Sequence, residues 1–151
     1  MIKSVDAKDK VVSSAHSREL KKLGYPTGLS SAPAAYLTGI LLARRAIKLG
    51  IDSAVLDTGI YARKPRSNVY AFLKGCVVGG LNVPDSEEVF ADDSRVSGKH
   101  IAAYAQMLKD SAPEKYSKIF SLYIKAGAPP ESLVELVETV KSKLDSIVGG
   151  V

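Results

Sequence analysis

The chain has 151 residues, and its formal net charge of +5 and pI near 9.3 favour an anionic partner without requiring one. A hydrophobic share of 46% and a charged share of 25% are typical of one globular domain with a substantial core, and they exclude a disordered chain. The single cysteine excludes an internal disulfide and fits a reducing compartment, while the longest apolar run, at residues 37–43, is too short to cross a membrane, so no membrane partner is predicted.

The first part of the chain predicts a β-hairpin followed by a short helix. Two runs, at residues 2–5 and 11–15, are typical of short strands, and the polar residues 6–10 between them suit a hairpin loop. A short helix is predicted over residues 17–23, with Ser17 as its N-cap and Gly24 ending it. The sequence Tyr-Pro-Thr-Gly that follows predicts a turn.

The next segment predicts half of an α/β unit. A serine cap and Pro33 begin a helix with an apolar stripe so wide that its first half must be buried, and Gly50 ends it. The apolar residues 54–56 predict a buried strand, and a second helix is predicted over residues 68–81. Three glycines weaken that helix, and we expect them to let it lie close against a neighbour: Gly75, Gly79 and Gly80.

An acidic loop after Pro84 and three helices complete the chain. The loop is expected to be a solvated surface fixed to the body by an apolar pair, Val89 and Phe90. Helices are predicted over residues 99–109, 113–126 and 129–147, with prolines and acidic residues in the first turns of the last two. The last helix is amphipathic and must pack on something, which is either the domain itself or a partner.

The sequence predicts no catalytic or metal site. Ser13 or Ser14 with His16, oriented by Asp57, makes the best imaginable catalytic set, but no nucleophile elbow or other local signature accompanies it. Two histidines and one cysteine, widely separated, do not approach a zinc pattern. The glycines of the second helix lack the spacing of a dinucleotide fingerprint. No cofactor is therefore predicted.

A cationic loop lies between the predicted strand and the second helix. It contains Arg63, Lys64 and Arg66 with no acidic residue among them, and aromatic, hydroxyl and amide side chains flank it: Tyr61, Ser67, Asn68 and Tyr70. Such a mixture suits RNA, which proteins contact through phosphates, 2′-hydroxyls and stacking. A smaller set, Lys21, Lys22 and Tyr25, surrounds the Tyr-Pro turn. From charge alone, a merely solvated basic loop fits equally well.

Several ordered blocks of the sequence resemble the archaeal branch of the large-subunit ribosomal protein L-eighteen family, whose eukaryotic members are called L-five. The blocks are SAHS at 14–17, GYPT at 24–27, SAPAAYLTG at 31–39, AVLDTG at 54–59, RSNVYAFLKG at 66–75 and SGKHI at 97–101. Together they cover roughly residues 5–107. Because several independent blocks agree in order and spacing, the resemblance is specific.

The resemblance implies an α/β fold of the α+β kind, in which a small mixed sheet packs with helices as in the L-eighteen and S-eleven proteins. It implies an RNA-binding domain at residues 1–109 and a helical C-terminal extension at 110–151. The implied role is that of a structural, non-enzymatic constituent of the cytoplasmic ribosome. Such a protein binds 5S rRNA and helps attach it to the large-subunit rRNA at the central protuberance, beside the ribosomal protein L-five of the bacterial and archaeal scheme.

The resemblance also implies which residues bind RNA. They are Arg63, Lys64, Arg66 and Ser67 in the basic loop, Lys74 on the helix behind it, His16 and Ser17 in the His-Ser block, and Lys21, Lys22 and Tyr25 near the first turn. A second function stays open, that of a protein-interaction module whose C-terminal amphipathic helices hold a partner while the basic loop is only solvated.

One departure from the family concerns the N-terminus. Members of the family carry a long basic segment and a further strand before the position that Met1 occupies here. We therefore expect this chain to be a fragment or to carry a misplaced start, with a sheet that lacks one strand and exposes an edge. The loss of cationic residues would also reduce the salt sensitivity of RNA binding.

Overall fold

The computed structural model describes residues 1–5, 8–60, 64–84 and 87–149. The chain has an α+β fold, as the sequence predicts, with two strands at its start and helices through the rest. The strands are β1 (Ile2–Val5) and β2 (Lys8–Val11). The helices are α1 (Ala32–Lys48), α2 (Asn68–Val78), α3 (Asp93–Val96), α4 (Lys99–Ser111), α5 (Pro113–Ile119), α6 (Ser121–Lys125) and α7 (Leu133–Gly149), with 3-10 helices at Ser17–Leu23, Glu87–Val89 and Pro130–Ser132.

The β-structure is smaller than the sequence predicts. β1 and β2 form an antiparallel hairpin, but the second strand is displaced from its predicted position: residues 8–10, predicted as loop, are strand, and residues 12–15, predicted as strand, are not. The predicted buried strand at residues 54–56 is wrong. Only Ser53 forms a bridge, a parallel one to Asn82, and Val55 is 81% exposed. A strand needs a ladder of partners, and in the described part of the chain residues 54–56 have one paired group, the amide of Ala54.

Helix α1 is the centre of the core, and α7 packs on it. Ser31 caps α1 by accepting a hydrogen bond from the amide of Ala34, and most of the helix is buried. The apolar residues of α7 lie in the same core cluster as those of α1 and of the first 3-10 helix: Leu133, Val137, Val140 and Leu144. The amphipathic face that the sequence left open is therefore covered by the chain itself, and a partner is not needed to bury it.

Two polar links also hold α7 to the body. The Arg44 guanidinium lies 2.7 Å from the Asp145 carboxylate, and the Lys143 Nζ donates to the carbonyl of Leu23 over 3.0 Å. Both links are partly solvated, so their contribution is small beside that of the buried apolar residues. They join α7 to α1 and to the end of the first 3-10 helix.

Glycines let α1 and α2 cross with their backbones in contact. A Cβ at Gly39 would overlap the Phe72 carbonyl, and a Cβ at Gly75 would overlap the Tyr36 carbonyl. One turn further along α2, Gly79 faces the methyl group of Ala43. The expectation that the glycines of the second helix permit a close neighbour is thus confirmed. This close approach positions the N-terminus of α2, and with it the turn at residues 64–67 that precedes α2.

Cys76 lies in the small core beside this crossing. Its side chain is 2% exposed, and burial raises the pKa of its thiol to about 12. The thiolate, which is the reactive form of cysteine, is therefore scarce at neutral pH. The structure agrees with the prediction that Cys76 is a small core residue.

The C-terminal half contains breaks that the sequence pattern does not show. The single helix predicted over residues 113–126 is two helices, α5 and α6, which meet at Phe120, and the last predicted helix starts with the 3-10 turn Pro130–Ser132. Phe120 is 5% exposed and sits among three tyrosine rings, so its burial fixes the bend between the two helices. Within the described ranges, no helix is both long and apolar enough to cross a membrane.

Candidate nucleic-acid interface

The basic loop ends in a tight turn, here called the basic turn, at Lys64, Pro65, Arg66 and Ser67. The amide of Ser67 donates to the carbonyl of Lys64 over 3.3 Å, and Arg66 has φ of +62°. A proline at the second position and a positive φ at the third are the pattern of a type II turn, where glycine is the usual third residue. Lys64 and Arg66 are exposed, whereas Arg63, which the sequence also assigned to RNA, lies outside the described residues.

A hydrogen bond to the segment after Pro84 holds Arg66 in its left-handed backbone conformation. Its amide donates to the carbonyl of Val89 over 2.9 Å, which ties the turn to the segment that follows Pro84. An L-residue in this conformation costs roughly 1–2 kcal/mol, so it persists only where the surroundings fix it. The bond to Val89 and the fixed φ of Pro65 supply that constraint. The turn therefore presents its cationic side chains from a defined backbone.

Lys74 anchors the segment that holds the turn. Its Nζ lies 2.7 Å from an oxygen of the Asp93 carboxylate and donates to the carbonyl of Ala91 over 2.9 Å. The hydrogen bond and charge of Lys74 hold the pKa of Asp93 below its ordinary value. The acidic stretch was expected to be a solvated surface fixed to the body by Val89 and Phe90. Its described acidic side chains are exposed, and Lys74 and the amide of Arg66 add polar links to it from α2 and from the turn. The amino group of Lys74 is engaged inside the chain, where it holds the segment to which the turn is bonded.

The N-terminus of α2 continues the surface from the basic turn. Ser67 is the N-cap residue and makes no side-chain capping bond, so its hydroxyl and the first amides of α2 have no capping partner. Asn68 donates from Nδ2 to the carbonyl of Ser30 over 2.7 Å. This bond joins the helix start to the loop before α1. It brings together two parts of the chain that are far apart in sequence.

His16, not Ser17, caps the first 3-10 helix, which corrects the sequence-based prediction. The Nδ1 of His16 accepts from the amide of Arg18 over 3.1 Å, and the carboxylate of Glu19 accepts from the amide of His16 over 2.8 Å. This reciprocal pair satisfies two amides, an arrangement that Ser17 one residue later could not make. Because Nδ1 accepts, the neutral ring carries its proton on Nε2, which is left to donate to a ligand.

A groove of about 340 Å³ joins the His-Ser block to the start of α2. His16, Ser17 and Asn68 line it, together with residues from the segment before the first 3-10 helix, the loop before α1, α1 itself and α2: Ala15, Leu29, Ser30, Ser31, Ala35, Thr38 and Phe72. Of the residues that the sequence assigned to RNA, His16 and Ser17 line this groove, and Asn68, which flanks the basic loop, lines it with them. The groove opens beside the basic turn, since Asn68 follows Arg66 and Ser67 directly.

A second groove, of about 530 Å³, continues from the first. The two share Leu29 and Ser30, and Lys21 and Lys125 lie on the second groove together with residues of the Tyr-Pro turn and of α6: Pro26, Thr27, Gly28, Leu122 and Ala126. The lining contains no acidic residue. Lys22 is exposed but lines neither groove. Lys125 was not assigned from the sequence, because only the fold brings it to the same groove as Lys21.

Tyr25 does not belong to the exposed surface. Its side chain is fully buried, with its hydroxyl 3.3 Å from the Oγ of Ser31, and burial raises the pKa of that hydroxyl. The Oγ of Ser31 in turn donates to the carbonyl of Gly28 over 2.6 Å. Tyr25 therefore shapes the turn between the two grooves from inside. The sequence of a Tyr-Pro turn among basic residues does not show whether the tyrosine ring is buried in the core or exposed to a ligand.

An exposed cationic turn beside a groove on an α+β body is an arrangement that suits a polyanion. Across the described ranges, no group of three or more histidine, cysteine or acidic side chains could hold a metal ion. The chain is thus a small basic α+β protein whose described surface carries a cationic turn.

Comparison with known proteins gives the family. Residues 1–53 match the family model described as ribosomal large subunit proteins 60S L5 and 50S L18. The large ribosomal subunit protein uL18 of Thermofilum pendens is 44% identical over 137 residues, which are 91% of this chain and 70% of the relative. The protein of the same name from Methanococcus maripaludis is 42% identical over 136 residues, 90% of this chain and 70% of the relative. The chain belongs to the uL18 family of large ribosomal subunit proteins, a structural and not an enzymatic family.

Proposed function

We propose that this chain binds 5S rRNA and helps attach it to the large-subunit rRNA at the central protuberance. The observation that carries the proposal is the groove that unites His16 and Ser17 with the start of α2, beside the basic turn, in a chain of the uL18 family. In the described part of the chain, neither Lys64 nor Arg66 forms an ion pair with a carboxylate, so both charges are available to phosphates.

Each part of this surface has a distinct task in the proposed complex. Lys64 and Arg66 neutralise phosphates, which supply most of the affinity and fix the orientation of the RNA. The Nε2–H of His16 and the hydroxyl of Ser17 offer hydrogen bonds suited to ribose 2′-hydroxyls and phosphate oxygens. Lys74 and the segment up to Asp93 keep the turn in place. Recognition then depends on shape and backbone contacts and not on a base-reading helix.

The remaining regions fit the same proposal. We assign the RNA-binding surface mainly to residues 1–109 and treat residues 110–151 as a helical extension that completes the core and lines the second groove through Lys125. The proposed neighbours in the ribosome are large-subunit rRNA and the L-five protein of the bacterial and archaeal scheme. A protein-interaction role for α7 is less well supported, because the apolar face of α7 is already buried against α1.

The test is a filter-binding titration of 5S rRNA with the parent and with an Arg63→Ala, Lys64→Ala, Arg66→Ala triple variant. Loss of three cations should weaken binding at least about tenfold, since phosphate contacts dominate affinity. Lys115→Ala, which removes an exposed cation from α5, is the control and should bind like the parent. A second RNA of similar length serves as competitor. A triple variant that binds 5S rRNA as tightly as the parent would show that the turn is only solvated.

Substitutions at Arg66 separate the effect of its charge on RNA binding from the effect of its backbone conformation on stability. Arg66→Gly and Arg66→Ala both remove the guanidinium and should weaken 5S rRNA binding equally. Glycine alone adopts the positive φ without steric cost, so Arg66→Gly is expected to be more stable than Arg66→Ala by about 1 kcal/mol in urea unfolding. If alanine is the more stable of the two, the left-handed conformation of Arg66 is not the native one.

A further inference from the structure

The β1–β2 hairpin has one face made of cationic side chains. In its register Lys3 pairs with Lys10 and Val5 pairs with Lys8, so the three lysines project from the same face, because side chains alternate along each strand. The other face carries the pairs Ile2 with Val11 and Ser4 with Asp9. The only described acidic side chain of the hairpin thus lies on the opposite face from the lysines.

This lysine face is unfavourable in the free protein. Like charges directly opposite each other destabilise an antiparallel pair, and Lys3 and Lys10 are such a pair. All four residues of β2 are exposed, and Ile2 and Val11 are 64% and 67% exposed, so the core contributes little to the hairpin. A two-stranded hairpin is marginal without such support. Among the described residues, none of the three lysines forms an ion pair, although Asp52 lies on the same small cavity as Lys3 at the base of the hairpin.

We propose that the lysine face of the hairpin, made by Lys3, Lys8 and Lys10, binds the phosphate backbone of the same 5S rRNA. The proposal rests on the proposed function and extends it to a second surface. A polyanion relieves the repulsion between Lys3 and Lys10, whereas a protein partner would need carboxylates placed opposite all three lysines. The hairpin also runs directly into the groove, since its ladder continues to Val12 and Ala15 already lines the groove.

The decisive variant is Lys10→Glu, for which stability and binding should change in opposite directions. Glutamate opposite Lys3 replaces a repulsive pair with an attractive one, so the melting temperature of the free protein should equal or exceed that of the parent. Binding of 5S rRNA should weaken about tenfold, and the slope of log K against log salt should shrink by about 0.7–0.9. Lys8→Gln, on the same face, is a second variant. It tests the same surface if Lys10→Glu does not fold.

Lys115→Glu makes the same change in net charge on α5 and is the matched control for Lys10→Glu. Its affinity should stay within about twofold of the parent, because Lys115 lies neither on the hairpin nor on the lining of the two grooves, and a charge away from the bound RNA is screened. The inference is overturned if Lys10→Glu and Lys8→Gln bind with the affinity and salt slope of the parent while Arg66→Gly weakens binding, and in that case the proposed function stands. If the parent itself does not bind 5S rRNA, the proposed function and this inference both fail.

Discussion

Gly75→Ala is expected to remove a large part of the stability of the fold. A Cβ at this position would overlap the Tyr36 carbonyl and lie 3.1 Å from the amide nitrogen of Ile40, so it meets the backbone of α1 and not a side chain that can turn away. Alanine normally stabilises a helix relative to glycine by roughly 1 kcal/mol, and crowding must exceed that gain. We expect a net loss of about 3 kcal/mol or more in urea unfolding, since overpacking against rigid backbone is among the costliest substitutions.

Gly127→Ala is the control for that experiment. Gly127 has φ of +66° and open space around its Cβ position, so alanine there adds backbone strain but no overlap. Its expected cost is about 1 kcal/mol. If Gly75→Ala costs no more than Gly127→Ala, then α1 and α2 do not cross in contact. The placement of the basic turn at the end of α2 would then lose its structural basis.

Removal of residues 129–151 is expected to abolish cooperative unfolding. Leu133, Val137, Val140 and Leu144 are each at most 3% exposed and lie in the cluster that includes α1. A single buried leucine replaced by alanine typically costs about 2–5 kcal/mol, so the loss of four such side chains exceeds the stability of an ordinary domain. Circular dichroism during thermal unfolding checks the result.

Two point variants, one at a buried and one at an exposed position of α7, test the packing of α7 without removing the helix. Leu144→Ala should lower stability by about 2–5 kcal/mol, and Ser142→Ala, on an exposed position of α7, should change it by less than about 0.5 kcal/mol. A truncated chain that still unfolds cooperatively near the temperature of the parent would mean that the apolar face of α7 is free for a partner. That outcome would revive the protein-interaction function.

Local signals in the sequence predict the helices well. The serine cap and wide apolar stripe of α1, and the helical spacing of apolar residues in α7, define both helices because each signal lies within a few turns of chain. The strand predicted at residues 54–56 fails because a short apolar run does not reveal whether a partner strand exists. His16 as a cap was missed because serine is the usual cap residue and histidine is not.

The candidate site also has features that are visible in the sequence and features that depend on the fold. Its charges at Lys64 and Arg66 and its His-Ser block are visible in the sequence. The groove that joins the His-Ser block to Asn68 is not visible, because it depends on the bond from Asn68 to Ser30 across 38 residues. Two assigned residues have internal partners, namely Tyr25 in the core and Lys74 on the acidic segment. Whether a polar or aromatic side chain faces inward depends on tertiary contacts that spacing alone does not encode.

The most direct test of RNA recognition by the basic turn is the salt dependence of 5S rRNA binding. The slope of log K against log salt counts released counterions, at about 0.7 per phosphate for single strands and 0.9 for duplexes. If Arg63, Lys64 and Arg66 each contact a phosphate, the triple alanine variant should have a slope about 2–3 smaller than the parent, while Lys115→Ala keeps the slope of the parent. Equal slopes for the parent and the triple variant would contradict the account.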